Sequence, residues 1–118
     1  MTQHYQDPIA WQKEMDLVTA VYAATDTFPK REVYGLTDQL RRAALSIPSN
    51  IAEGQGHFNR AEFLHSLQYS RGSLAELETQ LLIVRRRQCL AEADGLLTRA
   101  DELSRILSGR INSLKADK

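Results

Sequence analysis

Glu62 and His65 are the first residues whose types and spacing suggest chemistry. Their Glu-x-x-His spacing places a carboxylate and an imidazole on one face of a helix, as in di-iron bundle proteins. Such a site needs two of these pairs and one further glutamate from each of two other helices. Because His4 and His57 lie outside any second pair, most of the ligand set is missing. We interpret His65 as a solvent-exposed side chain and predict neither a metal site nor a cofactor.

The serines and the single cysteine, Cys89, are candidate nucleophiles without the surroundings that activate one. No serine stands in a Gly-x-Ser-x-Gly elbow, and Cys89 follows three arginines at the predicted end of a helix. The segment Gly54-Gln55-Gly56 lacks the Lys-Ser/Thr pair that completes a phosphate-binding loop. We therefore predict no catalytic residue and no enzymatic activity.

Asn50 and Glu53 are polar residues that follow Pro48 on a predicted amphipathic helix. Asn50 falls on the apolar side of that helix, so its amide points toward the core or its edge. In one interpretation, Asn50, Ser46 and Glu53 satisfy backbone groups near the proline and the helix end. In the other, they bind a ligand. The sequence leaves both interpretations open.

Arginines are concentrated in the middle of a chain that is neutral overall. With 15 basic and 15 acidic side chains, bulk charge supplies no attraction to nucleic acid or acidic lipid, although a local patch remains possible. Residues 41–90 carry seven basic and four acidic side chains, a net charge of +3. An antiparallel bundle brings the start of the second helix near the end of the third, and the planar guanidinium suits phosphate. The candidate nucleic-acid-binding residues are Arg41, Arg42, Arg85, Arg86 and Arg87. The alternative is a solvated helix end whose arginines complement the helix dipole.

Apolar residues recur at helical spacing in four segments, and no long segment alternates as a β-strand does. We predict helices at residues 8–28, 35–54, 60–88 and 91–115, in a single domain of residues 1–118. Short connections between long helices make neighbours antiparallel. The predicted fold is all-α, an antiparallel up-down-up-down four-helix bundle.

The first two helices are delimited by prolines and glycines. The first begins at Asp7-Pro8 and ends before Pro29, because the residue before a proline avoids the α region. Its predicted inner face consists of Trp11, Met15, Val18, Tyr22 and Thr25, flanked by Leu17, Val21 and Ala24. The second ends at Gly54 and Gly56 and has the apolar line Leu36, Leu40, Ala43, Ala44, Ile47 and Ile51. Pro48 interrupts that line, so this helix is either continuous with a kink, which we expect, or replaced by a new helix that begins at Pro48.

The third and fourth helices have the most regular patterns. Asn59 and Glu62 form the two ends of a capping box at the start of the third helix. Its predicted inner face follows a heptad pattern and consists of Phe63, Leu67, Ser70, Leu74, Leu77, Leu81 and Val84. The predicted inner face of the fourth helix consists of Leu96, Ala100, Leu103, Leu107, Ile111 and Leu114.

The third helix also carries apolar residues on its outer side, where Tyr69, Ala75, Leu82 and Ile83 fall on two further lines. A bundle helix needs one apolar stripe, so a second one indicates a partner, and we predict a homo-oligomer that uses these four residues. The alternative is a monomer, since scattered apolar residues are common on surfaces. The longest apolar runs, residues 20–24 and 81–84, are far too short to span a bilayer, and the single cysteine is typical of a cytoplasmic protein. We therefore expect a cytoplasmic location and no membrane partner.

Several segments together resemble a known family. They are residues 11–17, 28–30, 34–44, 46–54, 62–63 and 72–81, and the most specific is Ile47-Pro48-Ser49-Asn50-Ile51-Ala52-Glu53-Gly54. The sequence resembles the four-helix-bundle proteins associated with the 23S rRNA intervening sequence. That family is similar to the accessory protein of diversity-generating retroelements, a pentamer that works with a reverse transcriptase and RNA.

This resemblance implies a homo-oligomer, with a ring of five favoured, and a continuous, kinked second helix. It assigns no catalytic residue. The function that we predict is a non-catalytic oligomeric bundle that serves as an RNA or ribonucleoprotein accessory factor through its basic surface. The alternative is a protein-binding adaptor or scaffold with no nucleic-acid role.

Overall fold

Four α-helices and one π-helical turn make up the regular structure of the described chain. The computed structural model describes residues 8–28, 33–55, 59–88 and 90–116. The helices are α1 (Pro8–Thr25), α2 (Asp38–Gln55), α3 (Arg60–Arg86) and α4 (Ala93–Ala116), and the π-helical turn Val33–Thr37 leads into α2. These described residues contain no β-strand. The predicted all-α class with four helices is confirmed. Asp7, Pro29, Gly56 and Cys89, to which the sequence assigned helix ends and a candidate nucleophile, lie outside the described residues.

The start and the inner face of α3 follow the sequence pattern. The side chain of Asn59 accepts hydrogen bonds from the backbone N–H groups of Ala61 and Glu62, at 2.8 and 3.2 Å. This cap satisfies two donors that have no partner inside the helix. All seven residues of the predicted inner face, from Phe63 to Val84, are buried. The capped helix has 27 residues and a length of about 40 Å, so it spans most of the 48 Å long axis of the molecule.

Helix α4 packs beside α3, and the contacts between the two run in opposite residue order. Arg71 donates to the hydroxyl of Ser108 at 3.5 Å, whereas Arg85, farther along α3, donates to Asp94 near the start of α4 at 3.1 Å. The six predicted inner-face residues of α4 are all buried. Helix α1 packs on α2 and α4, and α3 packs on the same two helices. These contacts are those that the predicted up-down-up-down order requires, while that order itself stays a prediction.

Helix α1 is rotated relative to the face that the sequence predicts. Trp11 and Tyr22, placed on the inner face by their spacing, are 52% and 38% exposed. The buried face of α1 consists of Ala10, Glu14, Leu17, Val18, Val21, Ala24 and Thr25. Small alanines at both ends of this face allow α1 to approach its neighbours closely, which a tryptophan on the same line would prevent. The prediction for Trp11 and Tyr22 is therefore wrong, whereas the other predicted residues except Met15 are buried, namely Val18, Thr25 and the flanking Leu17, Val21 and Ala24.

Pro48 lies inside a continuous helix α2, so the alternative of a new helix that begins at Pro48 is wrong. The predicted kink stays a prediction. Side chains supply hydrogen bonds to the carbonyls of this region: Asn50 donates to the Ser46 carbonyl at 2.8 Å, and Ser70 of α3 donates to the Ile47 carbonyl at 2.8 Å. The helix begins at Asp38, after the π-helical turn, whereas the sequence predicts a start at residue 35.

Gly54 is buried within the last turn of α2 and does not end the helix as predicted. A Cβ atom at this position would lie 2.6 Å from the Cβ of Ser66 and 3.2 Å from the ring of Phe63, both on α3. Real Cβ atoms do not approach this closely. Gly54 is therefore required by the close approach of α2 to α3.

Candidate functional site

Arg41 holds α2 against the end of α1. Its Nε donates to the Thr25 hydroxyl at 2.8 Å, and its Nη2 donates to Asp26 Oδ1 at 2.8 Å. The guanidinium carbon lies 4.7 Å from the centre of the Tyr22 ring, within the range of a cation–π contact. Arg41 therefore has a structural task in the contact between α1 and α2.

Arg42 lies on the other side of α2 in a groove of mixed charge. Its Nη1 is 3.6 Å from Oδ2 of Asp38, and 79% of its side chain is exposed. The groove has a volume of about 590 Å³ and is lined by Asp38, Gln39, Arg42, Ala43, Ser46 and Glu76. Two carboxylates beside one guanidinium disfavour a bound phosphate. Anion contact by Arg42 therefore has to take place on its exposed side, away from the groove.

Arg85, Arg86 and Arg87 form the end of α3. Arg85 and Arg86 lie in its last turn, and the backbone N–H of Arg87 caps the helix by donating to the Ile83 carbonyl at 3.0 Å. Arg85 pairs with Asp94 at 3.1 Å, and the side chains of all three arginines are exposed. Their charges stabilise the helix through its dipole, whichever ligand they meet.

The arginines of α2, Arg41 and Arg42, and those at the end of α3, residues 85–87, lie in the same half of the bundle but do not form one cluster. Arg42 and Glu76 line one groove, and Arg85 lies nine residues beyond Glu76 on α3. At 1.5 Å per residue, this puts Arg85 about 14 Å farther along the axis. The structure therefore brings Arg85, Arg86 and Arg87 together, with Arg42 about two to three helical turns away.

Asn50 and Ser46 match the structural interpretation of the polar residues near Pro48. Asn50 donates to the Ser46 carbonyl, and the Ser46 hydroxyl donates to the Ala43 carbonyl, both at 2.8 Å. These side chains are therefore used inside α2. Glu53 is exposed on the same helix.

His65 is exposed on α3 and stacks on Tyr69. The two ring centres are 4.7 Å apart and the planes differ by 14°. Within the described ranges, no three histidine, cysteine, aspartate or glutamate side chains are grouped as metal ligands would be. Sequence reasoning missed this aromatic pair, although the spacing of four residues on a helix was a sufficient signal.

The outer face of α3 is the exposed apolar surface of that helix. We use this name for Tyr69, Ala75, Leu82 and Ile83, all of which are exposed. The exposed fractions of Tyr69, Leu82 and Ile83 are 60%, 41% and 45%. Three large apolar side chains that are half exposed on one helix are typical of a surface that meets a partner.

Glu78 is a titratable group in the contact between α3 and α4. Burial raises the pKa of the Glu78 carboxyl, and the negative charge of Asp101 on α4 raises it further. Asp101 itself pairs with Arg105 at 2.8 Å. Glu78 is not one of the candidate nucleic-acid-binding residues. Its raised pKa affects the stability of the folded protein.

Known proteins match this chain in sequence pattern and in fold. A family model described as 23S rRNA-intervening sequence protein matches residues 6–109. The chain is also similar to a solved structure from Bacteroides thetaiotaomicron VPI-5482, described as a protein with unknown function from the S23 ribosomal protein family. The TM-score is 0.81 at 18% sequence identity, over 89% of this chain and 96% of that chain, so the likeness is one of fold. No curated protein matches the chain.

Among the described residues, none of the helices combines the length and the apolar character that a bilayer crossing requires.

Proposed function

The chain belongs to the 23S rRNA-intervening sequence protein family, and on this premise we propose that it is a non-catalytic accessory factor for RNA or a ribonucleoprotein. In this proposal the protein is a cytoplasmic homo-oligomer, a ring of five, that assembles through the outer face of α3. The observation that carries the proposal is the composition of α3 itself. One helix combines exposed apolar side chains along its outer face with three consecutive arginines at its end.

Assembly is supported by the exposure of Tyr69, Leu82 and Ile83. The inner face of α3 is already complete, since every residue from Phe63 to Val84 on that face is buried. A second apolar surface on the same helix is therefore not needed for the fold and costs solubility when it faces water. Contact with another copy removes that cost.

RNA contact is supported by the arginines and by the family. Arg85, Arg86 and Arg87 present planar guanidinium groups, which match phosphate oxygens, at one end of the bundle. Arg41 and Arg42 complete the proposed set. Because Arg41 also binds Asp26 and Thr25, its part in RNA contact competes with its structural contacts. The similar S23-family structure carries a ribosomal family name.

The test measures binding of a fluorescein-labelled single-stranded RNA of twenty nucleotides by fluorescence anisotropy at 50 and 200 mM KCl. We expect the wild-type protein to bind at 50 mM and to lose affinity steeply at 200 mM, because bound arginines displace counterions. The double variant Arg86→Ala/Arg87→Ala should lose about tenfold or more in affinity, and its slope of log K against log salt should fall by about 1.4.

The matched control is Arg105→Ala, which removes an arginine of α4 that is 80% exposed and pairs with Asp101. We expect this variant to bind like the wild type. Binding that ignores salt, no binding at all, or an equal loss in the control would exclude the proposed RNA role.

The alternative is a protein-binding adaptor, and the mixed charge of the groove between α2 and α3 favours it. Asp38 and Glu76 beside Arg42 suit a polypeptide, which carries both charge signs, better than a phosphate backbone. A pull-down with and without nuclease separates the two functions. Partners bridged by RNA disappear after digestion, whereas partners of an adaptor remain.

A further inference from the structure

Helix α1 carries a second exposed apolar surface, distinct from the outer face of α3. Trp11, Met15 and Tyr22 follow one another at spacings of four and seven residues, so they lie on one side of the helix. Trp11 is 52% exposed, Tyr22 is 38% exposed and Met15 is half-buried. The buried face of α1 is complete without them.

Helix α2 extends this surface. Arg41 lies over the Tyr22 ring and therefore marks the side of α2 that faces α1. Leu45 and Pro48 follow Arg41 by four and seven residues and lie on the same side. Leu45 is 48% exposed and Pro48 is half-buried. We call the surface made by Trp11, Met15, Tyr22, Leu45 and Pro48 the α1–α2 face.

The α1–α2 face and the outer face of α3 point in different directions. Helices α1 and α3 each pack on α2 and on α4, so α1 and α3 occupy opposite corners of the bundle. The side of α2 that faces α3 is marked by Gly54, which follows Leu45 by nine residues, or two and a half turns, and therefore lies on the opposite side of the helix. One chain therefore presents two separate apolar faces.

We propose that the outer face of α3 of one copy docks on the α1–α2 face of the next copy. This inference rests on the homo-oligomer of the proposed function and names the second half of its interface. A contact between two different faces is heterologous and closes into a ring when the rotation between copies permits. A symmetric contact of α3 with α3 would leave the α1–α2 face of every copy exposed, whereas the heterologous contact covers both faces.

The exposed apolar area of the two faces is that of an interface centre. An aromatic side chain contributes about 150–250 Å², so Trp11 and Tyr22 together expose on the order of 200 Å², and Tyr69 adds about 100 Å². Together with the leucines and Ile83, these residues supply the apolar centre of an interface of about 800 Å² per partner, whose remainder is a polar rim.

The test uses two variants that each block one face, Leu45→Glu and Leu82→Glu, with mass measured by light scattering after size exclusion at about 100 µM loaded protein. We expect the wild-type protein to be oligomeric and each variant alone to have the mass of the 13.4 kDa chain. When the two are mixed in equal amounts, the intact α3 face of Leu45→Glu meets the intact α1–α2 face of Leu82→Glu. The mixture should therefore contain a dimer that grows no further, because both of its ends are blocked.

The matched control is Asn112→Glu, an exposed position of α4 outside both faces, which should keep the wild-type mass. Far-UV circular dichroism checks that each variant is helical, and Trp11→Glu replaces Leu45→Glu if the latter is not. A wild-type-sized Leu45→Glu oligomer beside a monomeric Leu82→Glu would overturn docking on the α1–α2 face and leave the proposed oligomer intact. Mixed variants that stay monomeric would also overturn the contact. A monomeric wild-type protein would overturn the proposed assembly and this inference together.

Discussion

The Ser70 hydroxyl of α3 donates a 2.8 Å hydrogen bond to the carbonyl of Ile47, the residue directly before Pro48 on α2. Ser70 is the one polar residue among the seven predicted inner-face residues of α3, and both Ser70 and Ile47 are fully buried. This bond links the two helices at the level where the proline leaves α2 with one backbone donor fewer. A residue that interrupts the heptad pattern therefore has a specific partner.

Ser70→Ala removes this bond without enlarging the side chain. We expect the free energy of unfolding to fall by about 1 kcal/mol, the net value of a buried hydrogen bond. Chemical denaturation followed by circular dichroism measures it. Ser49→Ala is the control, because the Ser49 hydroxyl bonds only the Leu45 carbonyl of its own helix and is exposed. Equal stability of Ser70→Ala and wild type would show that the bond contributes nothing.

Gly54→Ala places a Cβ atom 2.6 Å from the Cβ of Ser66. Since both atoms are attached directly to backbone, α2 and α3 have to move apart, and we expect a loss of about 1–3 kcal/mol in the free energy of unfolding. Ser66→Ala should not rescue the variant, because it keeps the Cβ. Gly72→Ala, in open space within α3, should instead raise stability by about 0.5–1 kcal/mol through helix propensity. A stabilised Gly54→Ala would contradict the close approach.

Arg41→Ala removes the contacts with Thr25, Asp26 and the Tyr22 ring. The Arg41 side chain is 28% exposed, so solvent screens it only in part, and we expect a loss of about 1–2 kcal/mol in thermal or chemical unfolding. Arg41→Lys should restore little of it, because an ammonium cannot bond two groups in the geometry of the guanidinium fork. The control is Arg42→Ala. Because the Arg42 side chain is 79% exposed, we expect the free energy of unfolding of this variant to stay within about 0.5 kcal/mol of the wild-type value. If Arg41→Ala is as stable as the wild type, the contacts of Arg41 do not stabilise the packing of α1 on α2, and Arg41 is only a candidate anion ligand.

Glu78→Gln removes the ionisable group in the contact between α3 and α4. Burial and Asp101 raise the pKa of Glu78 in the folded state, so the folded protein holds this proton more tightly than the unfolded chain. The resulting stability is present below the unfolded pKa of 4.5 and is lost as pH rises through the folded pKa. We therefore expect Glu78→Gln to have a higher Tm than wild type at pH 7 and an equal Tm at pH 4.

The control for this pH dependence is Glu53→Gln, an exposed position of α2. Its Tm should follow that of the wild type at both pH values. A Glu78→Gln variant whose difference from wild type is the same at pH 4 and at pH 7 would show that ionisation of Glu78 does not affect folding.

The class of the fold and the inner faces of α3 and α4 follow from local sequence patterns. Leucines at alternating spacings of three and four define one stripe on a helix. Burial of that stripe is the main source of stability, however the neighbouring helices are arranged. The Asn59 cap is similarly local, because its donors lie two and three residues away. The outer-face residues of α3 were also identified in this way, since a second stripe is visible in the same periodicity.

The rotation of α1, the contacts of Arg41 and the need for Gly54 depend on residues that are distant in the chain. On α1, the lines through Trp11 and through Glu14 have the same period, and only the neighbouring helices select which one is buried. Arg41 lies fifteen residues from Asp26, and Gly54 lies twelve residues from Ser66, so neither contact has a local signature. Periodicity determines which residues share a face, whereas packing against distant residues determines which face is buried and which side chains are left for a partner.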